Sequence, residues 1–436
     1  MSALNGQTTY RIITINADAY ISSATSNVPV LVKFNSTSHS DLFASGDDGD
    51  SVLFTSDSAG NTQLKHECVV FDDTNAIFYV KVDLSSTADT VIYFWYGNSS
   101  DSGNEDKTNV WTNGVGVYHF ESGVTDSTGN QNGTANSITY NTGQVGSGAV
   151  FNGSADYVAI GNSTDWNYER TQAMTIMWWT NRSSYDTSFW FAKQEAFGNY
   201  RGFSSLQSPD NIYFALVNTP SSMVSVYYPN NALSGWQHYA WTYSGNSDAS
   251  GVKLYIGADL KSLSTTENTL GTNTILNSIT PQIGNRNGAY NLNCTLDEFW
   301  FFSEEKSADF IKAVYNNVQN YSTFITVGSA TELKILIELT GEISASKSLL
   351  TFTINHNYGL TFTVDAPYLL QEGVDVDDFP VLVKIPIANT TNLYGTGETA
   401  DTIYFECDGE ILKHELIEIT ATYCTAWVKM DLEADS

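Results

Sequence analysis

Two stretches of this chain, some 350 residues apart, carry the same four short blocks in the same order. Val28-Pro-Val-Leu-Val-Lys-Phe34 matches Phe379-Pro-Val-Leu-Val-Lys-Ile385, and Asp50-Ser-Val-Leu-Phe54 matches Asp401-Thr-Ile-Tyr-Phe405. Leu64-Lys-His-Glu67 matches Leu412-Lys-His-Glu415, and Tyr79-Val-Lys-Val-Asp-Leu84 matches Trp427-Val-Lys-Met-Asp-Leu432. The first two pairs share an offset of 351 and the last two an offset of 348, so one three-residue deletion aligns all four. Thr14-Ile-Asn-Ala-Asp-Ala19 and Thr361-Phe-Thr-Val-Asp-Ala366 match more loosely. A repeat of this kind restricts the fold, because both copies must bury the same pattern in the same way. The blocks are rich in β-branched and aromatic residues, alternate in polarity and are bounded by Gly, Asp, Asn and Ser, which predicts strands.

The copies end differently. The first runs on into Thr90-Val-Ile-Tyr-Phe-Trp-Tyr96, whereas the sequence stops at Ser436 before any counterpart. Without that strand a sandwich carries an unpaired edge and an apolar groove. This is expected either of a longer natural chain or of a subunit that completes itself by homo-oligomeric strand exchange.

Between the copies lie short strand-like segments joined by Gly and Asn turns. Among them are Gly116-Val-Tyr-His-Phe120, Met174-Thr-Ile-Met-Trp-Trp179, Asn211-Ile-Tyr-Phe-Ala-Leu-Val217, Trp236-Gln-His-Tyr-Ala-Trp-Thr-Tyr243 and Leu296-Asp-Glu-Phe-Trp-Phe-Phe302. That spacing predicts a sandwich or jelly roll. One helix is expected over Ser307–Asn316, with Ser307 as N-cap and a stripe of Phe310, Ile311, Val314 and Tyr315. The fold class is therefore all-β, as several β-sandwiches. The expected domains are 1–112, an N-terminal β-sandwich; 113–328, a central jelly roll; 329–360, a β linker; and 361–436, a partial second copy of the first.

The central blocks together resemble the concanavalin A-like, laminin-G-like jelly roll. The resemblance rests on Gly116-Val-Tyr-His-Phe120 followed by the turn Asp126-Ser-Thr-Gly-Asn-Gln-Asn-Gly133, and on Gly148-Ala-Val-Phe-Asn-Gly153 with Asp156-Tyr-Val158. Trp236-Gln-His-Tyr, Leu254-Tyr-Ile-Gly257, Gln282-Ile-Gly284 and Leu296-Asp-Glu-Phe299 complete it over about half the chain. The flanking copies resemble a β-domain that often precedes such jelly rolls in secreted and phage proteins. Its closing element here is Tyr93-Phe-Trp-Tyr-Gly-Asn98, and Val110-Trp-Thr-Asn113 forms the junction. The resemblance implies a structural Ca²⁺ ion where the 126–133 turn meets the acid of the closing strand, held by Asp126, Asn130 and Asp297, with Glu121 less central. The same residues also suit an Asx-turn that holds no metal.

Charge narrows the partners. With 19 Lys and Arg against 48 Asp and Glu the chain carries −29, so no nucleic-acid partner is expected. No run of 18 apolar residues occurs, so no membrane insertion is expected. Residues 1–20 lack the basic and apolar regions of a usual signal peptide. No GxSxG, HExxH, P-loop or dinucleotide-binding motif stands in context. His66-Glu67 and Asp297-Glu298 are sequence neighbours, and neighbours in a strand point to opposite faces, so a catalytic pair is not expected from either. The four cysteines form no CxxC pair; Cys407 and Cys424 could bridge, although free thiols are the simpler reading.

Aromatics make up 13% of the residues, enough to build a core and still leave rings for stacking. Trp178, Trp179 and Trp241 are expected in the core. Trp166, Tyr168, Tyr185, Tyr200, Tyr228 and Tyr290 fall in or near loops and are the candidates for a ring-stacking platform. The expectation is a non-enzymatic protein of a virion surface or other extracellular setting, whether a phage decoration, fibre or attachment protein. Its partners would be glycans or other virion or surface proteins. A secreted microbial or archaeal adhesin and a carbohydrate-binding accessory module of a glycan-degrading enzyme are the alternatives.

Overall fold

The computed structural model describes residues 6–161, 164–229 and 234–332. Beyond these it describes only the backbone of strands at 335–340, 350–354, 361–364, 376–386, 403–407, 410–412, 414–419 and 423–432. Its regular structure is mostly strands, in several largely antiparallel sheets. No helix among the described residues is long and apolar enough to cross a membrane.

The N-terminal domain is a two-sheet sandwich. One sheet orders Ile325–Glu332, Thr9–Ile15, Thr90–Tyr96, Leu53–Thr55 and Gln63–Leu64; the other orders Thr25–Asn35, Asn75–Leu84 and His66–Phe71. Phe34, Phe54, Phe78 and Phe94 pack ring on ring between the sheets. In Thr25–Asn35 every residue from Val28 to Val32 is buried. A strand reads as a continuous apolar run when both of its faces are covered. Here the second face lies under the helix Ala308–Gln319, which follows the jelly roll in sequence. Asn317 of that helix donates to the Leu31 carbonyl at 3.1 Å and accepts from the Leu31 N–H at 2.6 Å. The Tyr321 hydroxyl makes the same pair of contacts to Lys33.

The central domain is two eight-stranded sheets face to face. One runs Thr139–Thr142, Ser147–Asn152, Asn293–Phe302, Met174–Arg182, Trp236–Tyr243, Val252–Ile256 and Asp259–Lys261, with Gly114–Tyr118 also paired to Asn293–Phe302. The other runs Ser264–Asn268, Ser222–Pro229, Asn211–Thr219, Gly202–Gln207, Ser188–Gln194, Gln282–Ile283, Tyr157–Ile160 and Gly133–Asn136. Trp178, Trp190, Tyr239, Trp241, Phe299 and Phe301 lie between them. The first sheet is covered on its other face too. Met177, Trp179, Tyr255, Trp300 and Phe302 belong to the same apolar cluster as the N-terminal sandwich and the helix. The two domains thus share this cluster, while the jelly roll keeps a second core between its own sheets.

The predicted helix forms over Ala308–Gln319, and Ser307 caps it by accepting from the Phe310 N–H at 3.1 Å. The boundary drawn at 328 is crossed by Ile325–Glu332, which pairs with Thr9–Ile15 as an edge of the N-terminal sheet.

The repeat reappears in the strand pairing. Pro29 sits opposite Lys81 and Pro380 opposite Lys429; Glu67 sits opposite Tyr79 and Glu415 opposite Trp427. Both copies break register at the same place, between Cys68 and Val70 and between Leu416 and Glu418. In the first copy Thr90–Tyr96 lies beside Leu53–Thr55. In the second, Ile335–Thr340 lies beside the equivalent Ile403–Cys407, running parallel. The edge expected to be bare, or completed by strand exchange with another subunit, is thus paired within the chain, since an open row of N–H and C=O groups takes the strand that reaches it. Cys68 and Cys294 are free thiols; the side chains of Cys407 and Cys424 lie outside the described residues.

Candidate functional site

Strand alternation sorts the second sheet of the jelly roll into two faces. Phe191, Phe203, Ile212, Phe214, Leu216, Val224, Val226 and Ile283 enter the core. The residues between them face away from it. Cross-strand pairing places Ala159, Gln282, Ala192, Ser204, Ala215 and Ser225 in one row across six strands, about 24 Å long at ~4.8 Å per strand. The next row holds Phe189, Leu206, Tyr213 and Tyr227, with the two tyrosine rings 5.6 Å apart. A row of small side chains thus lies beside a row of large ones, and Ala192, Ser204, Ala215 and Ser225 of the small row are covered, each at most 8% exposed.

Two loops meet beside the strands Ser188–Gln194, Gly202–Gln207 and Gln282–Ile283 in the middle of the small row. The sequence Arg286-Asn287-Gly288-Ala289 forms a two-residue turn in which Arg286 and Ala289 bond to each other. Asn287 (φ 48°) and Gly288 (φ 83°) are both left-handed, as a turn of this type requires. The turn carries the Arg286 guanidinium onto the rings of Phe189 (4.7 Å), Tyr200 (5.1 Å) and Tyr290 (5.3 Å). One Arg286 Nη donates to Gln194 Oε1 at 3.3 Å, which also accepts from Ser204 Oγ at 3.2 Å. Tyr200 (φ 55°) and Tyr290 (φ 58°) are left-handed as well. A bulky residue is costly there, and such strain concentrates where a site demands a particular side-chain position. Tyr290 is 50% exposed, and Phe197, in the same loop as Tyr200, is 80% exposed.

Of the six ring candidates, the structure therefore brings Tyr200 and Tyr290 together. Trp166 and Tyr168 are corrections: both are buried. The Trp166 ring occupies space that Gly116 leaves open, for a Cβ there would come within 2.6 Å of it. Trp166 and Tyr168 both lie against Phe301. Tyr185 is half-buried under the Arg182 guanidinium, and Tyr228 is half-buried against the inner core. Arg286 and Phe197 were missed; the Asn-Gly turn beside one of few arginines was the available signal.

A second concentration of chemistry lies where the two domains meet. Glu67, from the repeat, accepts from Trp111 Nε1 at 2.6 Å and from the Ser127 hydroxyl. His119 lies 3.4 Å from Glu67 and 2.7 Å from Glu298, whose carboxylate also accepts from Trp300 Nε1 at 2.8 Å. Tyr79 stacks on the imidazole at 5.1 Å. Burial alone would hold His119 neutral, yet Glu298 and Glu67 outweigh it and raise its pKa well above the usual range. Glu67 is lowered: burial opposes this, and His119 outweighs burial.

Asp297 and Glu298 were expected to diverge, and the structure corrects this. Register breaks between Met177 and Trp179 opposite them, and Glu298 is left-handed (φ 51°). Leu296 and Phe299 both enter the inner core, so the bulge leaves both acids off it. Burial, then Glu298 and Glu121, raises Asp297 well above the carboxylate range. Burial chiefly, with Glu298 adding, pushes Glu121 up to about 7.

The four residues expected to hold calcium do not form one site. Asp126 spends its carboxylate on the N–H groups of Val117, Thr128 and Gln131 and on the Thr128 hydroxyl. The Asn130 amide donates to the Gly114 and Val115 carbonyls. Asp297 and Glu121 meet elsewhere, on the turn that presents the Gln144, Val145 and Ser147 N–H groups. Among the described residues no three His, Cys, Asp or Glu converge where a metal ion could be held. Asx-turn bonding explains Asp126 instead.

Residues 152–312 match the concanavalin A-like lectin/glucanases superfamily. That segment includes every residue of the two rows and of Arg286's surroundings. No curated protein matches the chain. Among solved structures, the binding domain of Paraclostridial Mosquitocidal Protein 1 aligns at 15% identity and TM-score 0.39, over 62% of this chain and 71% of that one. Domain 4 of the arabinanase AbnA from Geobacillus stearothermophilus, in complex with arabinotriose, aligns at 17% identity and TM-score 0.36, over 46% and 98%. The receptor binding domain of botulinum neurotoxin C/D mosaic serotype aligns at 12% identity and TM-score 0.38, over 73% and 92%. Alignments this loose transfer no function.

Proposed function

We propose that this chain is a non-catalytic glycan-binding module whose ligand stacks at the loop rim of Phe197, Tyr200 and Tyr290, on the outer side of the second jelly-roll sheet. The observation that carries this is the pair of left-handed tyrosines clamping one guanidinium beside exposed rings. Exposed rings offer apolar faces to sugar rings, while amides and hydroxyls below accept and donate. The buried acids around His119 support a structural role over a hydrolytic one. Paired carboxylates that cleave sugars must reach the bond, and Glu67, Asp297 and Glu298 are each at most 4% exposed.

The test is binding of the full chain to a glycan array, repeated with Tyr290→Ala and Phe197→Ala. Removing a stacking ring should weaken binding roughly 5- to 100-fold, the equivalent of about 1–3 kcal/mol. Failure to bind any glycan, or unchanged binding by both variants, would refute the assignment.

We further propose display on a virion surface, as a decoration, fibre or attachment protein. The acidic, lysine-poor composition and the modular β-domains support an exposed setting. A cell-surface adhesin or an accessory module of a glycan-degrading enzyme would use the same loop rim. Gold-labelled antibody against the chain, applied to purified particles and to whole cells, separates these settings.

A further inference from the structure

Resting on the glycan-binding reading, we infer that the ligand carries a carboxylate, an acidic sugar held by Arg286. Among the described residues, Arg286 shares with Lys33, Lys81 and Lys193 the lack of an ion pair, and differs from them in lying against three aromatic rings. The chain has more than twice as many acids as bases, and Arg11, Lys65, Lys253, Lys261, Lys306 and Lys312 each lie against an Asp or Glu. Arg286 does not. Among the described residues no carboxylate lies in ion-pair range of it, and its Nε is buried with no acceptor.

The polar groups around it are neutral amides: Gln194 on the guanidinium, Gln282 bonded to the turn at the Asn287 N–H, and buried Asn285 beside it, with Oδ1 lacking a donor. Glu195, which follows Gln194 in the chain, accepts instead from the Arg201 N–H. The rings of Phe189, Tyr200 and Tyr290 take water away from the cation without neutralising it. Burial accordingly lowers the Arg286 pKa, which tyrosine hydroxyls alone oppose. A half-desolvated guanidinium with no anion beside it lacks the partner that suits it best, a carboxylate that accepts charge-assisted hydrogen bonds. A pyranose bearing a carboxylate could present that group to Arg286 and its ring face to Tyr290. The −29 net charge opposes polyanions at long range, which favours a ligand whose charge is sparse.

The experiment is calorimetric titration of the full chain with oligosaccharides that carry a single carboxylate, each beside its own methyl ester: an aldobiouronate first, then acids drawn from the array. The pairs differ in charge and little in shape. The acid is expected to bind at least tenfold tighter than its ester, with Arg286→Gln bringing that ratio towards one and Arg286→Lys restoring part of it. Thermal melts confirm that the variants are folded. If esters or neutral glycans bind as well as acids, and Tyr290→Ala still weakens them, the charge inference falls while the glycan reading stands. Failure of every glycan, acidic or neutral, sinks both.

Discussion

Glu67 leaves the N-terminal sandwich and ends inside the next domain, between Trp111, Ser127 and His119. Its neighbour His66 turns the other way, against Phe54 and Phe78, as strand alternation demands. Because Glu67 and His119 are both buried, deleting one strands the other. Glu67→Ala should therefore cost about 3 kcal/mol, since removing one partner of a buried pair leaves an uncompensated charge; chemical denaturation at pH 7 measures it. Glu121 makes a second prediction at this scale. Its folded pKa stands at about 7 against an ordinary 4.5. The folded state therefore holds a proton that the unfolded chain has released, and this group makes stability fall as pH rises from 4.5 to about 7. Glu121→Gln removes that loss. Its melting temperature should equal the wild type near pH 4.5 and exceed it by several degrees at pH 8, in melts run across that range.

Elements answer a different question, namely how an edge strand is kept from pairing with another molecule. Thr25–Asn35 is the edge of its sheet, yet the Leu31 and Lys33 backbone groups are taken by Asn317 and Tyr321. This is edge protection by side chains rather than by a neighbouring strand. Asn317→Leu should destabilise by about 2–3 kcal/mol, because it buries the N–H and C=O of Leu31 without partners; a volume-matched apolar residue isolates that effect from cavity formation. A smaller loss would mean that the helix shifts or that water replaces the amide. Helix Ala308–Gln319 was legible from its Ser307 cap and its stripe of Phe310, Ile311 and Val314. Its docking partner was not, because the stripe records that a face is buried and nothing about which surface buries it.

For the molecule as a whole, the shared cluster predicts cooperativity. One apolar cluster runs from Val30 and Tyr79 through Trp111 to Trp300, Phe302 and Phe310, and Ile325–Glu332 returns to close the first sheet. Residues 6–332 should unfold in a single calorimetric transition, and Glu67→Ala should lower that whole transition rather than split it. Two separated peaks would show that the interface is weaker than its packing implies. The repeat, the strand segments and the jelly-roll class are legible in the amino-acid order alone, because each is written in short blocks of residues adjacent along the chain. Alternation, turn chemistry and the recurrence of such blocks at a fixed offset need no knowledge of what packs on what. The site was legible only in part. Tyr200 and Tyr290 stood out as loop tyrosines, but so did Trp166 and Tyr168, and composition cannot say which loop folds inward over a glycine. His119 meets Glu67 across 52 residues and Glu298 across 179, and Arg286 meets Gln194 across 92. Only the tertiary structure decides such meetings, because which strand lies beside which, and where a bulge reverses the alternation, depends on the packing of the entire sandwich.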